Sequence, residues 1–142
     1  MDFRKATKED YPLILKIWEQ SVIATHPFLS IKDREAIKLE IPNYFPHLAI
    51  QIWFVNHAVV GFSALQEDYL EMLFLDGHSI GKGYGKQILN QLIKDFSIKK
   101  VDVNEQNHNA KKFYLKNGFI QVGRDAVDSE GRAYPILHLK LA

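Results

Sequence analysis

The segment GKGYGKQIL, residues 81–89, places three glycines at alternate positions, adds two lysines and leads into apolar residues at helical spacing. Glycines at the first turn of a helix leave backbone N–H groups bare, and the helix dipole favours a negative charge at that end. The segment therefore predicts a turn that can hold a pyrophosphate group. The same glycines are also typical of a tight turn with close helix packing, and the segment alone fits both interpretations.

The two best-known phosphate-binding loops have other spacings. A Walker loop needs Ser or Thr directly after its lysine, whereas Gln87 follows Lys86 here. A dinucleotide fingerprint needs a third glycine three residues after the second, and neither Gly81 nor Gly83 begins such a series. What remains is a loop that follows a strand ending near Leu75 and opens a helix, where a pyrophosphate would fit.

The segments on both sides of this loop alternate between helix and strand patterns. Two capping boxes, Thr7 with Asp10 and Ser30 with Asp33, predict the starts of two helices. Two further helices are predicted directly after the glycines and at residues 109–117. The first helix is predicted to turn one face to the core, carrying Leu13, Ile14, Ile17, Trp18 and Val22.

Short apolar runs with alternating polarity predict the strands. They lie at residues 3–6, 50–55, 59–65, 70–75, 101–103, 119–122 and 136–141. The tight connection at Asn56 and His57 predicts that the strands around it belong to an antiparallel meander. We therefore expect an α/β or α+β fold, one domain over residues 1–142, with a mixed, mostly antiparallel sheet. This sheet should have six or seven strands and about four flanking helices.

Composition narrows the function classes. The chain has 142 residues, 46% of them hydrophobic, and 18 basic residues against 17 acidic ones. This balance gives no strong field for nucleic acid or an anionic membrane, so a small ligand or a local site on a partner is expected. The absence of cysteine excludes disulfides, thiolate metal sites and a cysteine nucleophile. The start MDFRKATKED lacks the apolar run of a signal peptide, and no segment reaches the roughly 20 apolar residues of a membrane span, which favours a cytoplasmic protein.

Two motifs resemble those of the GNAT family of N-acetyltransferases. LFLDGHSIGKGYGKQIL, residues 73–89, resembles the family's motif A, in which a strand leads into R/Q-x-x-G-x-G/A at a helix start. VNEQNHNAKKFYLKNGF, residues 103–119, resembles its N-x-x-A-x-x-F/Y-Y-x-x-x-G-F segment. ATHPFLS at residues 24–30 and YPILHL near the end extend the resemblance over essentially the whole chain. With them, the chain resembles the YjaB-type branch of the family.

The resemblance implies a GNAT fold, acetyl-CoA as the co-substrate and a set of cofactor-binding residues. Backbone N–H groups of the strand before the loop would bind pantetheine, the loop would bind the pyrophosphate, and an amide would reach the cofactor. These residues are Leu73, Phe74 and Leu75, then Ile80, Gly81, Lys82, Gly83, Tyr84, Gly85 and Lys86, and finally Asn107 and Tyr114. Ile80 departs from the family, which has Arg or Gln there; backbone amides can still hold the pyrophosphate, so binding is expected to be weaker or reshaped.

Tyr114 is the candidate proton donor for the departing CoA thiolate. It stands in the FY of the matched segment, and a phenol with a pKa of about 10 stays protonated until the sulfur develops charge. Helical spacing from Ala110 would also suit a core tyrosine, but the motif favours the donor role. Asn107, in the same motif, is a predicted cofactor ligand and equally a possible N-terminal cap of the following helix.

The base that deprotonates the acceptor amine has three candidates. Glu71 lies on the strand before the loop, on the face that Tyr69 shares. His26, in the THPF turn, titrates in the range suited to proton transfer. A chain of water molecules leading to bulk solvent is the third, and the sequence does not choose among them.

The remaining expectations concern metals and the acceptor. The six histidines show no metal-ligand spacing, so no metal is predicted. The acceptor is expected to be a primary amine, either a protein lysine or a small molecule, which attacks acetyl-CoA directly. The alternative function is a non-catalytic module that binds or senses acyl-CoA, and the oligomeric state stays open.

Overall fold

Seven strands and four α-helices follow one another along the chain in the computed structural model, which describes all 142 residues. The strands are β1 (Asp2–Lys5), β2 (Ala49–Val55), β3 (Ala58–Gln66), β4 (Tyr69–Leu75), β5 (Lys100–Asn104), β6 (Phe119–Asp125) and β7 (Ile136–Leu141). The helices are α1 (Tyr11–Thr25), α2 (Ile31–Glu40), α3 (Tyr84–Phe96) and α4 (His108–Lys116). Short 3₁₀ turns lie at Lys8–Asp10, Ile41–Asn43 and Phe45–His47.

All seven strands form a single sheet in the order β1-β2-β3-β4-β5-β7-β6. Every neighbouring pair is antiparallel except β4 and β5, which run parallel. The β2–β3 hairpin turns on Asn56 and His57, whose φ angles of 50° and 67° suit a two-residue connection. The predicted fold class, a mixed and mostly antiparallel sheet with four helices, is confirmed.

The parallel pair β4–β5 is short, and this shapes the functional site. The two strands pair only at Tyr69 with Lys100 and at Leu70 with Val101. Next to this point the register of β3 against β4 shifts between Ala64 and Leu65, which marks a β-bulge. Beyond Leu70, β4 therefore continues along β3 without a partner on its other side, and a gap opens between β4 and β5.

The sheet separates two hydrophobic clusters. The cluster on the α3 and α4 side contains Ile88, Leu89 and Leu92 of α3. The cluster on the other side is formed with α1 and contains Ile14, Ile17, Trp18 and Val22. Helices thus cover both faces of the sheet, and the gap between β4 and β5 lies between them. No helix has both the length and the apolar character that crossing a membrane requires.

Leu13 does not belong to the buried face of α1, so that prediction is wrong. It is 37% exposed, whereas Ile14 is fully buried. Adjacent helical positions differ by about 100° around the axis, so the stripe centred on Ile14 and Trp18 leaves Leu13 at its edge.

Predicted helix caps are present at the starts of the helices. Thr7 and Asp10 form a reciprocal capping box, which opens the 3₁₀ turn that leads into α1. The Ser30 hydroxyl accepts a hydrogen bond from the Asp33 N–H at 3.1 Å and caps α2. Gly118, with φ of 94°, follows the end of α4 and lets the chain turn into β6.

Candidate active site

The gap between β4 and β5 joins three cavities. The first, of about 230 Å³, lies between the end of β4 and α4. The second, of about 170 Å³, fills the gap itself, and the third, also about 170 Å³, lies on the α1 and α2 side. His26 and Phe74 line all three, so the cavities adjoin at these two side chains. Together they connect the two faces of the sheet.

Backbone conformation explains two of the three glycines in the loop. Gly81 and Gly83 have φ angles of 82° and 81°, in the left-handed region where other residues are strained. A Cβ atom at either position would meet nothing within 4 Å, so close packing does not require glycine there. Gly85 differs, because its Cβ would lie 3.6 Å from the ring of Phe113. That distance is an ordinary van der Waals contact, so packing does not require glycine at this position either.

The N-terminus of α3 is open to an anion. Gly83 occupies the N-cap position, and no side chain caps the helix, so the N–H groups of the first turn have no side-chain acceptor. The Tyr84 side chain is partly buried and packs against the core cluster on the α3 and α4 side. These features fit a pyrophosphate held by backbone N–H groups and the helix dipole.

Lysines surround this helix end. Lys82 and Lys86 are exposed and make no ion pair within the chain. A groove of about 390 Å³ lies beside the loop and is lined by Gly83, Lys86 and Lys116. Sequence reasoning missed Lys116, because only the packing of α4 against the loop brings the two together. Lys111 and Lys112, also on α4, do not line this groove.

The free edge of β4 presents two N–H groups to the gap. The Asp76 N–H donates to the Val60 carbonyl of β3 at 2.8 Å. Because successive N–H groups along a strand point to opposite sides, those of Leu73 and Leu75 point away from β3, toward the gap. The N–H of Phe74 is directed back to β3, whereas its side chain lines all three cavities. Ile80 lines the first cavity and is 38% exposed.

Tyr114 lies at the wall between the first and second cavities. Its ring packs edge-on against Phe113 and Phe119, with centroid separations of 5.1 and 5.6 Å. The residue is only 7% exposed, and burial raises the pKa of its hydroxyl, which has no hydrogen-bond partner within the chain. The hydroxyl is therefore protonated and unengaged, as a proton donor must be before its substrate binds.

Asn107 is an N-terminal cap whose amino group stays free. Its Oδ1 accepts a hydrogen bond from the Ala110 N–H at 3.2 Å, at the start of α4. Its Nδ2 group has no partner within the chain, and the residue lines the first and second cavities. The cap holds the amide in place, and the free amino group can donate to a ligand.

Glu71 lines the second cavity from the β4 side and is otherwise exposed. Partial burial and the nearby charge of Asp102 raise the pKa of its carboxyl. Asp102 in turn accepts hydrogen bonds at 2.7 Å from the Tyr69 hydroxyl and from His138 Nδ1. Sequence reasoning missed Asp102 and His138. The only signal for Asp102 in the sequence is its place between two valines on β5, which predicts a carboxylate that faces outward.

His26 stands at the end of α1, where the three cavities adjoin. Its ring lies near those of Phe28 and Phe74, with centroid separations of 5.2 and 6.3 Å. Burial among these groups lowers the pKa of the imidazole from 6.5 to about 4, so the ring is neutral at pH 7. Its Nδ1 lies 2.7 Å from the Thr25 hydroxyl oxygen.

The site brings most of the predicted residues together around one gap. His26, Glu71, Asn107 and Tyr114 all line the second cavity. Lys82 and Tyr84 are the exceptions, because neither lines any of the cavities described above. No group of three or more His, Asp or Glu side chains is arranged to hold a metal ion.

The split parallel strand pair and the open glycine turn suit an acyl-transferring protein that binds a diphosphate-containing acyl donor. The model of the acetyltransferase (GNAT) domain matches residues 19–135, and the chain belongs to this family. It is therefore an N-acetyltransferase that uses acetyl-CoA as its co-substrate, as its motifs predicted.

Individual relatives place the chain in one branch of the family. It is 32% identical to the peptidyl-lysine N-acetyltransferase YjaB of Salmonella typhimurium, over 98% of this chain and 97% of the relative. Identity to YjaB of Escherichia coli is 33%, over 98% and 95%. The solution structure of apo-form YjaB from Escherichia coli has a TM-score of 0.90 and 31% identity, and covers 99% of this chain and 97% of that one. The predicted YjaB-like branch is confirmed.

Proposed function

We propose that the protein transfers an acetyl group from acetyl-CoA directly to a lysine side chain of a protein, within a complex that holds both substrates at once. The observation that carries this proposal is the gap between β4 and β5, because its cavities connect the two faces of the sheet. One substrate can then enter from the α3 and α4 side and the other from the α1 side. No covalent acetyl-enzyme is needed when both meet in the gap.

The cofactor side is the side of the glycine loop. The uncapped first turn of α3 and the unpaired Lys86 and Lys116 suit the diphosphate of acetyl-CoA. The N–H groups of Leu73 and Leu75 suit the pantetheine amide and the thioester carbonyl. A donor aimed at a carbonyl oxygen stabilises the negative charge that develops there during attack.

Two proton transfers complete the reaction. Acetyl-CoA supplies a thioester carbon that the amine nitrogen attacks, and the sulfur departs as that bond breaks. Tyr114 gives the sulfur its proton, because its hydroxyl is protonated, has no partner within the chain and lines the gap. The amine loses a proton to a base for which Glu71, His26 and water are the candidates.

A lysine side chain suits the acceptor side. The third cavity is lined by apolar and aromatic side chains, among them Trp18, Ile37 and Tyr134, and carries the carboxylate of Asp128. A lysine offers a flexible apolar stem and a single terminal amine, which such a passage can admit. The relatives at 32 and 33% identity are peptidyl-lysine N-acetyltransferases, which favours the same acceptor.

A transfer assay tests the proposal. Purified protein is mixed with acetyl-CoA and lysine-containing peptides, and thiol release is followed together with the mass of the peptide. We expect one added acetyl group per reactive lysine, and none on matched peptides in which arginine replaces lysine. Acetylation of free small amines alone would overturn the protein-lysine acceptor.

Binding must be measured beside transfer. Calorimetry with acetyl-CoA and no acceptor reports whether the cofactor side works alone. A protein that binds acetyl-CoA and acetylates neither peptides nor small amines would be a sensing module, contrary to our proposal. The free Tyr114 hydroxyl favours catalysis, since a module that only binds has no use for a proton donor at the thioester.

A further inference from the structure

Thr25 makes two short hydrogen bonds with a hydroxyl group that has only one hydrogen. Its Oγ1 donates to the Ser21 carbonyl at 2.8 Å, one turn earlier on α1. The same oxygen lies 2.7 Å from His26 Nδ1. A carbonyl oxygen cannot donate, so the hydroxyl hydrogen is committed to Ser21. The second bond therefore needs its hydrogen from the histidine.

This count of hydrogens fixes the tautomer of His26. With Nδ1–H donating to Thr25, the neutral imidazole carries its lone pair on Nε2. Nε2 has no hydrogen-bond partner within the chain, and the ring lines all three cavities. A proton acceptor thus stands where the two substrates would meet.

We propose that Thr25 is a positioning residue that holds His26 in its Nδ1–H form, so that Nε2 takes the proton of the attacking amine. This inference rests on the proposed acetyl transfer and chooses among its candidate bases. Thr25 acts only through the imidazole, whereas His26 contacts the amine.

The proton balance of this step closes without a further reactant. The neutral amine nitrogen bonds to the thioester carbon while one of its N–H protons passes to His26 Nε2. The carbon–sulfur bond breaks, and the sulfur receives the Tyr114 hydroxyl proton, which gives an amide and a free thiol. The imidazolium then releases its proton to water and the tyrosinate regains one from water, which restores both residues.

Burial supports the neutral ring that this step requires. The pKa of His26 is about 4, so Nε2 stays unprotonated throughout the neutral range. Such an imidazole is a weak base toward a free ammonium ion. It takes a proton once bond formation at the carbonyl has made the amine nitrogen acidic, which places the transfer during or after attack.

Nitrogen NMR of the histidine ring tests the tautomer without any enzyme assay. Two-bond ¹H–¹⁵N correlation spectra of ¹⁵N-histidine-labelled protein at pH 7 distinguish a protonated Nδ1 from a protonated Nε2, and His26→Asn assigns the signal by removing it. We expect protonated Nδ1 and bare Nε2 in the wild type and in Thr25→Ser. Thr25→Val keeps the shape of the side chain but lacks the oxygen, and the Nε2–H form should appear. A wild-type ring protonated on Nε2 would overturn the proposal.

Kinetics test whether the tautomer matters to the reaction. General acid–base catalysis typically contributes about 100- to 10,000-fold, so we expect Thr25→Val to lower kcat by roughly 10-fold or more. The KM for acetyl-CoA should stay near its normal value, and Thr25→Ser should restore kcat. A Thr25→Val protein with the altered tautomer and an unchanged kcat would remove His26 as the base. If no amine is acetylated at all, the proposed function fails, while the NMR result still decides the tautomer.

Discussion

At the scale of single residues, Tyr114 and His26 share one property: each offers the gap an atom that has no partner within the chain. The Tyr114 hydroxyl holds a proton, and burial raises its pKa. His26 Nε2 lacks a proton, and burial lowers the pKa of the ring. Loss of water disfavours the charged form of both groups, so the same cause prepares a donor and an acceptor.

Tyr114→Phe separates the two possible roles of this residue. The substitution keeps the ring between Phe113 and Phe119 and removes only the hydroxyl. We expect kcat to fall by roughly 100- to 10,000-fold, with little change in acetyl-CoA affinity, because the transition state alone needs the proton. Steady-state kinetics and calorimetry measure the two effects.

Tyr11→Phe is the matched control for this change. Tyr11 is the first residue of α1, and its ring packs against that of Phe45. It lines none of the three cavities of the site. Its variant should keep a normal kcat. Near-normal turnover in Tyr114→Phe would exclude the hydroxyl from the mechanism and leave the residue a purely structural role.

At the scale of elements, the site depends on where strands stop pairing and helices begin. The β4–β5 pair ends after Leu70, and α3 begins at Tyr84 after the N-cap Gly83, with no side-chain cap. One feature opens the gap, and the other leaves N–H groups free for a diphosphate. Both are departures from regular structure, the first within β4 and the second at the N-terminus of α3.

Gly83→Ala tests the demand of the loop for a left-handed backbone. A residue with a Cβ at φ of 81° is strained by about 1 to 2 kcal/mol, although nothing lies within 4 Å of that atom. We expect lower stability by about that amount and weaker acetyl-CoA binding, measured by thermal unfolding and calorimetry.

Gly77→Ala provides the comparison within the same loop. A Cβ at Gly77 also meets nothing within 4 Å, and its φ lies outside the left-handed range. This variant should resemble the wild type in both measurements. Equal affinity in Gly83→Ala and Gly77→Ala would mean that the diphosphate binds elsewhere.

Arg132 joins α2 to the segment between β6 and β7, beside the third cavity, where we propose that the acceptor enters. Its Nη2 donates to Glu40 at 2.8 Å, and its other nitrogens lie 3.7 Å from Asp33 and 3.6 Å from Asp128. The Asp33 carboxylate also accepts a hydrogen bond from Tyr134, which lines the third cavity. This contact network holds one wall of that cavity.

Arg132→Gln should therefore weaken binding of the acceptor peptide more than binding of acetyl-CoA. The three carboxylates lose their common cation and repel one another, which loosens the wall of the third cavity. We expect a raised KM for a lysine peptide and an unchanged affinity for acetyl-CoA. Arg124→Gln breaks a separate exposed pair with Glu105 and serves as the control. Equal effects of the two variants on KM would contradict a role of this network at the acceptor site.

The order and type of the elements could be predicted from local patterns, because caps and periodicity are properties of neighbouring residues. Asn107, the N-cap of α4, and Tyr114 within it were instead predicted from the resemblance to a family motif. The end of the β4–β5 pairing depends on contacts between distant strands and leaves no local signal. The approach of Lys116 to the glycine loop likewise appears only once helices and strands have packed. The hydrogen bonds of Thr25 are local, to Ser21 and His26, but only the packed fold places that pair beside the gap.

At the scale of the whole molecule, two histidines respond to pH in opposite directions. His138 lies between Asp102 and Asp125, whose oxygens are 2.7 and 2.8 Å from its ring nitrogens. These hydrogen bonds raise the pKa of His138 above 6.5. Burial lowers the pKa of His26 from 6.5 to about 4. The folded state thus favours the charged form of one ring and the neutral form of the other.

The signs of the two contributions follow by linkage. For His138, the folded pKa is the higher one, so its stabilising effect is complete below pH 6.5 and is lost as pH rises through the folded value. For His26, the folded pKa is the lower one, so stability is complete above pH 6.5 and is lost as pH falls toward 4. The difference for His26 corresponds to about 3 kcal/mol at most.

Denaturant unfolding of the wild type and two variants between pH 4.5 and pH 8 measures these contributions separately. Asp10 and Asp33 have lowered carboxyl pKa values, so their effects lie at pH values below this range. We expect His26→Asn to lose less free energy of unfolding than the wild type between pH 6.5 and 4.5. His138→Gln should instead lose less than the wild type above pH 6.5. If His26→Asn kept the wild-type acid slope, the folded and unfolded pKa values of the ring would be equal, and burial would then not hold His26 neutral below pH 6.5.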